Sequence, residues 1–336
     1  MINFKKSELQ PAHLCKFLGF MLDSKSFCIY LPDNKRNHIY QIVCELLKAR
    51  SIKIRRLAEI IGTLVSACLG VNYGCLYIKN LEREKFLALK TNNGDYDANT
   101  TLQDNSRVDL NWWKQNIFTI NKPIRKNKYI KTIFTDASTT GWGAFCENKR
   151  ANGWWSISEK EKHINYLELL AALNGLKSFA NNLSNGEILL RIDNTTAITY
   201  INKMGGIQYP HLNEVSRKIW QWCESKNLYI FASHINTKEN TEPDTESRKL
   251  PPETEWELSK SAFQKIVQTL GEPEIDLFAS DINKKCKSFI SWKQDPDAEA
   301  VDAFTISWKN LCFYAFHPFS VILRVLNKII LDKAEG

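Results

Sequence analysis

Four acidic residues occupy positions at which carboxylates could gather around divalent metal ions. Asp136 stands at the end of the strand-like run KTIFTDAS, and Asp193 ends the apolar run EILLRID. Glu168 falls in the first turn of a long helical segment, and Asp244 opens a short one. Mg²⁺ prefers oxygen ligands and keeps several waters, and two such ions can activate a water against a phosphodiester. The pattern therefore predicts a two-metal hydrolytic site.

Each acid also has a local explanation that the sequence leaves open. Asp136 before Ala-Ser suits a turn, and Asp193 before Asn-Thr-Thr suits a helix N-cap. Glu168 stands three residues after Asn165, which is the spacing of a capping box, and Asp244 suits the positive end of a helix dipole. Clustered carboxylates repel one another without a metal. Four such acids on alternating strands and helices therefore favour one shared site.

Residues 129–250 alternate strand and helix signals in an order that positions these acids. Three strand candidates come first, followed by a long helix near 165–181, the apolar strand ending at Asp193, two more helices and the strand NLYIFASHI. Three antiparallel strands followed by alternating helices and strands predict a mixed sheet flanked by helices. The acids at strand ends and helix starts are expected to converge at one edge of that sheet.

The same region resembles the ribonuclease H domain of reverse transcriptases, and the match looks closest to DIRS-type (tyrosine-recombinase) retroelements. Four motifs in order carry the resemblance: TDAS-x2-GWGAF, HINYLELLAAL, RIDNTTAITYINKMGG and ASHINTKENTEPDTESR. It implies an α/β, ribonuclease H-like fold with a mixed five-stranded sheet. It further implies two Mg²⁺ ions, with Mn²⁺ as a possible substitute, on Asp136, Glu168, Asp193 and Asp244. The implied reaction is cleavage of the RNA strand of RNA/DNA hybrids.

The resemblance also assigns a histidine and three polar neighbours. The mobile histidine of the family, ten positions before the last acid, corresponds to His234, where it could assist proton transfer or product release. A plain surface or capping role is the alternative for a histidine at a strand end. Ser138, Asn165 and Asn194 stand beside the acids and could contact the 2′-hydroxyls that distinguish RNA from DNA, or they could be local caps.

Three positions depart from the family pattern. The family usually has glycine, alanine and leucine where Thr237, Pro243 and Glu246 stand here. Pro243 is tolerable within a first helical turn. Glu246 is expected to put a charge where this helix normally buries an apolar group.

Residues 1–125 predict a mainly helical module after a short strand pair. The β-prone runs 17–23 and 26–32 flank Ser24-Lys25, as in a hairpin. This region resembles the primer grip and thumb at the end of a reverse transcriptase, and no YxDD-type polymerase motif occurs in the chain. The chain carries a net charge of +8, which is concentrated in the first 130 residues. A basic segment suggests a polyanion such as a template-primer duplex, although solvated helix faces explain it equally well.

Residues 251–336 predict a small α/β domain. EIDLFAS and NLCFYAF are strand candidates, and 320–332 is a closing helix. The region resembles the adenine-N6 methyltransferase-like domain found downstream in the same retroelements, in a truncated form. The catalytic tetrapeptide of that family corresponds here to residues 316–319, which read Phe-His-Pro-Phe. Phe316 cannot accept a hydrogen bond from an adenine amino group, so methyl transfer is not expected.

The sequence thus favours a retroelement reverse-transcriptase fragment whose central domain is an endonuclease. A non-catalytic, nucleic-acid-binding remnant is the alternative, and an active methyltransferase, which would bind S-adenosylmethionine, is a third. The nine cysteines have no zinc-type spacing, and no apolar run approaches the roughly 20 residues that span a bilayer. We therefore expect no membrane partner and an intracellular location, cytoplasmic or nuclear.

Overall fold

The computed structural model describes residues 10–236, 239–248 and 257–336. Thr237 and the expected boundary at residues 250 and 251 lie outside the described residues. The chain divides into two units: the first comprises the described residues up to Lys128 together with Tyr200–Glu224, and the second comprises Tyr129–Thr199 together with the described residues from Ser225 onward. Among the described residues, none of the helices is both long enough and apolar enough to cross a bilayer.

The first unit begins with short strands and continues with helices. Its strands are β1 (Leu14–Phe17), β2 (Phe20–Asp23), β3 (Cys28–Tyr30), β4 (Ile52–Lys53), β5 (Asn99–Thr100) and β6 (Lys122–Pro123). Its first four helices are α1 (Asp33–Lys48), α2 (Ile54–Ala67), α3 (Lys79–Thr91) and α4 (Asp104–Asn116), with a 3-10 helix at Gly74–Ile78. β1, β2, β3 and β6 form one antiparallel sheet in that order, and β4 pairs with β5.

The expected hairpin at the start of the chain is more divided than the sequence suggested. Leu18 and Gly19 both have positive φ, 47° and 78°, which suits the two-residue turn of a tight hairpin. The run 17–23 is therefore broken between β1 and β2, and the turn at Ser24-Lys25 joins β2 to β3. In α1 and α2 the helical apolar spacing selects mostly buried side chains, although Leu47 is half-buried and Val65 is 47% exposed. The buried ones include Ile39, Ile42, Val43, Leu46, Leu57, Ile60, Ile61 and Leu64.

The second unit contains the predicted mixed sheet of five strands. The strands are β7 (Lys131–Ala137), β8 (Gly141–Cys146), β9 (Lys149–Trp154), β10 (Gly186–Ile192) and β11 (Leu228–His234). Their order is β11-β10-β7-β8-β9; β7, β8 and β9 are antiparallel, while β7, β10 and β11 are parallel. The helices that follow β9 in the chain are α5 (Ile157–Lys160), α6 (Ile164–Ala180), α7 (Thr195–Asn202), α8 (Pro210–Ser225) and α9 (Thr241–Ser247).

Helix α8 lies within the range 129–250 but groups with the first unit. Arg217 on α8 pairs with Asp109 at 2.5 Å, and Asp109, which is fully buried, also accepts a hydrogen bond from the amide of Asn80. Trp112 donates to Glu224 near the end of the helix at 2.9 Å. These polar ties join α8 to α4 and its neighbours. The division of the chain at 125, 129 and 251 stays a prediction.

The C-terminal part of the second unit is a small α/β arrangement. It contains α10 (Lys260–Leu270), β12 (Ile275–Asp276), β13 (Ser288–Ser291), β14 (Ala300–Val301), β15 (Phe313–Tyr314) and α11 (Ile322–Asp332). The strands are parallel in the order β14-β13-β12-β15. The expected strands appear as β12 and β15, the closing helix as α11, and Trp308 is fully buried in the core between them.

Candidate metal centre

Three of the four predicted acids meet at one edge of the five-stranded sheet. Asp136 is the sixth residue of β7, and Asp193 directly follows β10, which is the parallel neighbour of β7. Parallel neighbours end at the same sheet edge, so these two carboxylates face a common space. Glu168 reaches it from the second turn of α6. One carboxylate oxygen from each of Asp136, Glu168 and Asp193 lies within 4.8 Å of the other two.

Two of the three acids in the cluster are buried, and Asp193 is half-buried. Asp136 and Glu168 expose 5% and 4% of their surface. Burial, with help from the charges of Asp193 and Asp244, raises the pKa of Asp136 to about 6, although a hydrogen bond from Ser247 opposes the shift. Burial, followed by the charges of Asp136 and Asp193, raises the pKa of Glu168 to about 9. The fold therefore holds carboxylates where their ionised forms are costly unless a cation joins them.

The local alternatives for these three acids are realised by other residues. His163, rather than Asn165, caps α6, because its ring nitrogen accepts from the backbone N–H of Asn165. Asn194 accepts from the N–H of Ala197 at the start of α7, in the role that Asp193 could have taken. The turn after β7 is closed by the hydroxyl of Ser138, which accepts from the N–H groups of residues 140 and 141. The local cap and turn roles therefore do not explain why these three acids stand here.

Asp244 and His234 lie apart from this group. Asp244 is the fourth residue of α9, and its carboxylate pairs with Arg248 at 2.7 Å in a partly exposed i,i+4 contact. It is near enough to raise the pKa of Asp136 through its charge. His234 is the exposed last residue of β11 and pairs in register with Ile192, the residue before Asp193. Both stand at the predicted sheet edge, outside the three-carboxylate group.

The three predicted substrate contacts divide into a pair and an outlier. The amide of Asn194 donates to the side-chain oxygen of Asn165 at 3.0 Å. This bond joins the residue after Asp193 to the turn of α6 that precedes Glu168. Ser138 instead uses its hydroxyl within the protein, where it donates to the backbone carbonyl of Ser247. The structure thus brings Asn165 and Asn194 together and favours the local role for Ser138.

The departure at Glu246 is resolved by an ion pair. Glu246 is 3% exposed, so the position is buried as the pattern requires. Its carboxylate lies 3.9 Å from the guanidinium of Arg150 on β9, and Arg150 also pairs with Glu242 at 2.6 Å. A buried carboxylate that faces a guanidinium is compensated in a way that a lone one is not. The sequence signal for this pair was too weak to find, since residues 150 and 246 are far apart in the chain.

Sequence reasoning also missed Ser247 and Asn240, which join α9 to the strand that carries Asp136. Ser247 donates its hydroxyl hydrogen to Asp136 at 2.7 Å, and Asn240 donates to the carbonyl of Thr135 at 3.2 Å. The close approach of α9 is possible because Gly143 has no side chain: a Cβ there would lie 2.6 Å from the N of Ser247. The sequence places Ser247 three residues after Asp244, but it gives no sign that the hydroxyl of Ser247 would bond to Asp136 on β7.

The residues of the cluster fit a hard divalent cation. All the donor atoms are carboxylate oxygens, which are the ligands Mg²⁺ and Mn²⁺ take up. One oxygen of Glu168, Oε2, is buried and has no hydrogen-bond partner among the described residues. Buried polar atoms are nearly always satisfied, so this oxygen suits a ligand that protein atoms do not supply.

The similarities to known proteins are partial. No protein-family model matches the chain. The enzymatic polyproteins of cauliflower mosaic virus, strains D/H and Strasbourg, are each 28% identical to it over 144 residues, which are 39% of this chain and 20% of the viral protein. The chain thus spans about a fifth of the length of these curated relatives.

Solved structures that match include two ribonucleases H1 and a viral enzyme. Ribonuclease H1 from the halophilic archaeon Halobacterium salinarum NRC-1 is 15% identical with a TM-score of 0.29, and LC11-RNase H1 in complex with an RNA/DNA hybrid is 20% identical with a TM-score of 0.30. Each match covers 34% of this chain and 92% of that one. The foamy viral protease-reverse transcriptase in complex with double-stranded DNA is 12% identical with a TM-score of 0.29, over 71% of this chain and 38% of the viral one.

Proposed function

We propose that residues 129–250 form a ribonuclease H-type endonuclease, which cuts the RNA strand of RNA/DNA hybrids as part of a retroelement reverse transcriptase. The observation that carries this proposal is the convergence of Asp136, Glu168 and Asp193 at one sheet edge, where a buried oxygen of Glu168 has no hydrogen-bond partner in the described part of the chain. The order of strands and helices and the four sequence motifs support the same conclusion.

Asp136, Glu168 and Asp193 would hold the metal ions, and Asp244 would join them. Bound Mg²⁺ supplies an activated water and stabilises the leaving oxygen of the phosphodiester. Asp244 can be recruited at small cost, because an exposed i,i+4 ion pair such as the one with Arg248 is worth only about 0.3–0.5 kcal/mol. The buried walls around Glu168 exclude water, which strengthens each electrostatic contact within the site.

The neighbouring side chains would orient the hybrid. The hydrogen-bonded pair of Asn165 and Asn194 lies beside the acids, where its amides suit 2′-hydroxyl contacts in the minor groove. His234, exposed at the same edge, would move a proton or assist product release. In this proposal the flanking regions keep their expected parts: a thumb-like module that holds duplex by its phosphates, and a degenerate methyltransferase-like domain that transfers no methyl group.

The test is cleavage of a hybrid with labelled RNA by the full chain, in Mg²⁺ or Mn²⁺. Asp193→Asn should reduce the rate by more than about 100-fold, because even the outer partners of a metal ligand are worth about 10- to 100-fold. Glu214→Gln is the matched control, since Glu214 makes an exposed pair with Lys218 on α8, and it should cleave as the wild type does. No cleavage by folded wild-type protein, or equal cleavage by Asp193→Asn, refutes the proposal.

A non-catalytic nucleic-acid-binding remnant is the second candidate. The engagement of Asp244 with Arg248, outside the three-carboxylate group, favours it. So does the basic first part of the chain, which can bind any polyanion. Hybrid binding that weakens steeply with salt, together with no cleavage in either metal, would select this candidate over the endonuclease.

A further inference from the structure

We infer that Ser247 is a positioning residue of the metal centre, which holds the carboxylate of Asp136 in the orientation that ligation requires. This inference rests on the proposed metal-dependent function of the same site. None of the sequence motifs assigned Ser247 a role.

The hydroxyl of Ser247 lies within hydrogen-bond distance of the cluster. Ser247 is fully buried at the end of α9, and its Oγ lies 2.7 Å from Oδ2 of Asp136. The same Oγ lies 2.9 Å from the backbone carbonyl of Asp244, three residues earlier. A hydroxyl has one hydrogen to donate, and a bond to a carboxylate is roughly twice as strong as one to a neutral acceptor. The hydrogen is therefore directed to Asp136.

The backbone around Ser247 is fixed as well. Its carbonyl accepts from the hydroxyls of Ser138 and Thr140, in the turn that directly follows β7. At the other end of α9, the amide of Asn240 donates to the carbonyl of Thr135, the residue before Asp136. The helix that carries Asp244 is thus tied at both ends to the strand that carries Asp136, which sets the spacing between these two acids.

The effect on metal binding follows from the orientation of the Asp136 carboxylate. A hydrogen bond to Oδ2 restricts the side-chain torsion of Asp136 while its carboxylate stays within reach of Glu168 and Asp193. Without that bond the carboxylate can rotate, and the entropy lost on fixing its orientation opposes the binding of a cation. Partners of this kind are worth about 10- to 100-fold in metal affinity or activity. Ser247 should therefore affect metal affinity more than hybrid affinity.

The test compares Ser247→Ala with Thr140→Val in the full chain. Thr140→Val removes a hydroxyl that ties down the same carbonyl of Ser247 but leaves the donor to Asp136 in place. Binding of Mn²⁺ to the metal-free protein is measured by calorimetry, which needs no turnover. The half-saturating concentration of Mg²⁺ is measured by hybrid cleavage. We expect Ser247→Ala to weaken Mn²⁺ binding and to raise half-saturating Mg²⁺ by about 10-fold or more, with KM for the hybrid unchanged. Thr140→Val should stay within about 2-fold of the wild type in both.

Unchanged Mn²⁺ binding by folded Ser247→Ala would overturn the inference, and so would an equal shift in Thr140→Val, which would indicate a purely structural role. If Ser247→Ala does not fold, Ser247→Cys keeps the shape of the side chain with a slightly larger and weaker donor and should show a smaller shift in the same direction. Wild-type affinity in that variant would also overturn the inference. A wild type that binds Mn²⁺ but cleaves nothing refutes the proposed function alone, because calorimetry still tests Ser247.

Discussion

Replacing Glu168 by glutamine removes one negative charge from the acid cluster while keeping the shape of the side chain. Glu168 is 4% exposed, and burial together with Asp136 and Asp193 raises its pKa from 4.5 to about 9. A carboxyl group whose pKa is raised by folding stabilises the fold fully below pH 4.5, and this contribution is lost as the pH rises toward 9. The metal-free wild type therefore carries a cost at neutral pH that Glu168→Gln does not.

The size of this cost follows from the difference in pKa. A pH of 7 lies about 2.5 units above the ordinary pKa of a glutamate, and each unit corresponds to about 1.4 kcal/mol. The free energy of unfolding of the metal-free wild type is therefore lowered by up to about 3 kcal/mol. At pH 5 this cost is about 1 kcal/mol by the same relation. Without metal, Glu168→Gln should thus have a higher free energy of unfolding than the wild type, and this difference should grow between pH 5 and pH 7. In Mg²⁺ at 1,000 times its Kd the order should reverse, because a ligand that binds only the folded wild type then adds about 4.1 kcal/mol, which exceeds this cost.

The assay is urea unfolding with chelator or with Mg²⁺ at both pH values. Glu246→Gln is the matched control, because Glu246 is equally buried at 3% but faces the guanidinium of Arg150. Removing that charge leaves Arg150 with less compensation, so the control should be neutral or destabilised at pH 7. A Glu168→Gln variant no more stable than the wild type at pH 7 without metal, or an equal gain in Glu246→Gln, would show that burying the charge of Glu168 beside Asp136 and Asp193 does not carry this cost.

Three further substitutions test contacts outside the metal centre, each by urea unfolding. Gly143→Ala should lower the free energy of unfolding by about 1–3 kcal/mol, because the added methyl group pushes α9 away from β8. Gly62→Ala, in open space on α2, should raise it by about 0.5–1 kcal/mol. An equal effect of the two substitutions would contradict the close approach of α9 at Gly143. Arg217→Ala should cost about 3–5 kcal/mol by leaving Asp109 buried and unpaired, and Asp109→Leu with Arg217→Met should recover most of it; no recovery would place the loss in packing instead. Asn194→Ala should cost about 1 kcal/mol through the lost cap of α7, while Asn194→Ser should retain it, and equal losses in the two variants would argue against the cap.

Local pattern was sufficient for the elements that present the acids. The apolar run that ends at Asp193 and the strand that reaches Asp136 were recognisable because a buried strand needs a short continuous apolar stretch. Chain order alone did not predict that β7 and β10 are neighbours, because α6 joins β10 to β9, which lies at the far edge of the sheet. At the start of the chain, reasoning from local pattern merged β1 and β2, because the turn at Leu18-Gly19 depends on two backbone angles and not on hydrophobicity.

The setting of each acid depended on contacts between distant segments. Asp136 takes its hydrogen bond from Ser247, and Glu246 takes its counter-charge from Arg150, across sequence separations that no local pattern records. Helix α8 was placed with the nuclease region by its position in the chain, but its Arg217 pairs with Asp109 of the first unit.

The amino-acid sequence by itself determined which carboxylates are available and on which strands and helices they lie, because periodicity and turn chemistry act over a few residues. Only the tertiary structure decided that Asp136, Glu168 and Asp193 share one buried space while Asp244 pairs with Arg248. Burial and the distance between charges determine the cost of such a cluster, and both are properties of packed elements and not of the chain that forms them.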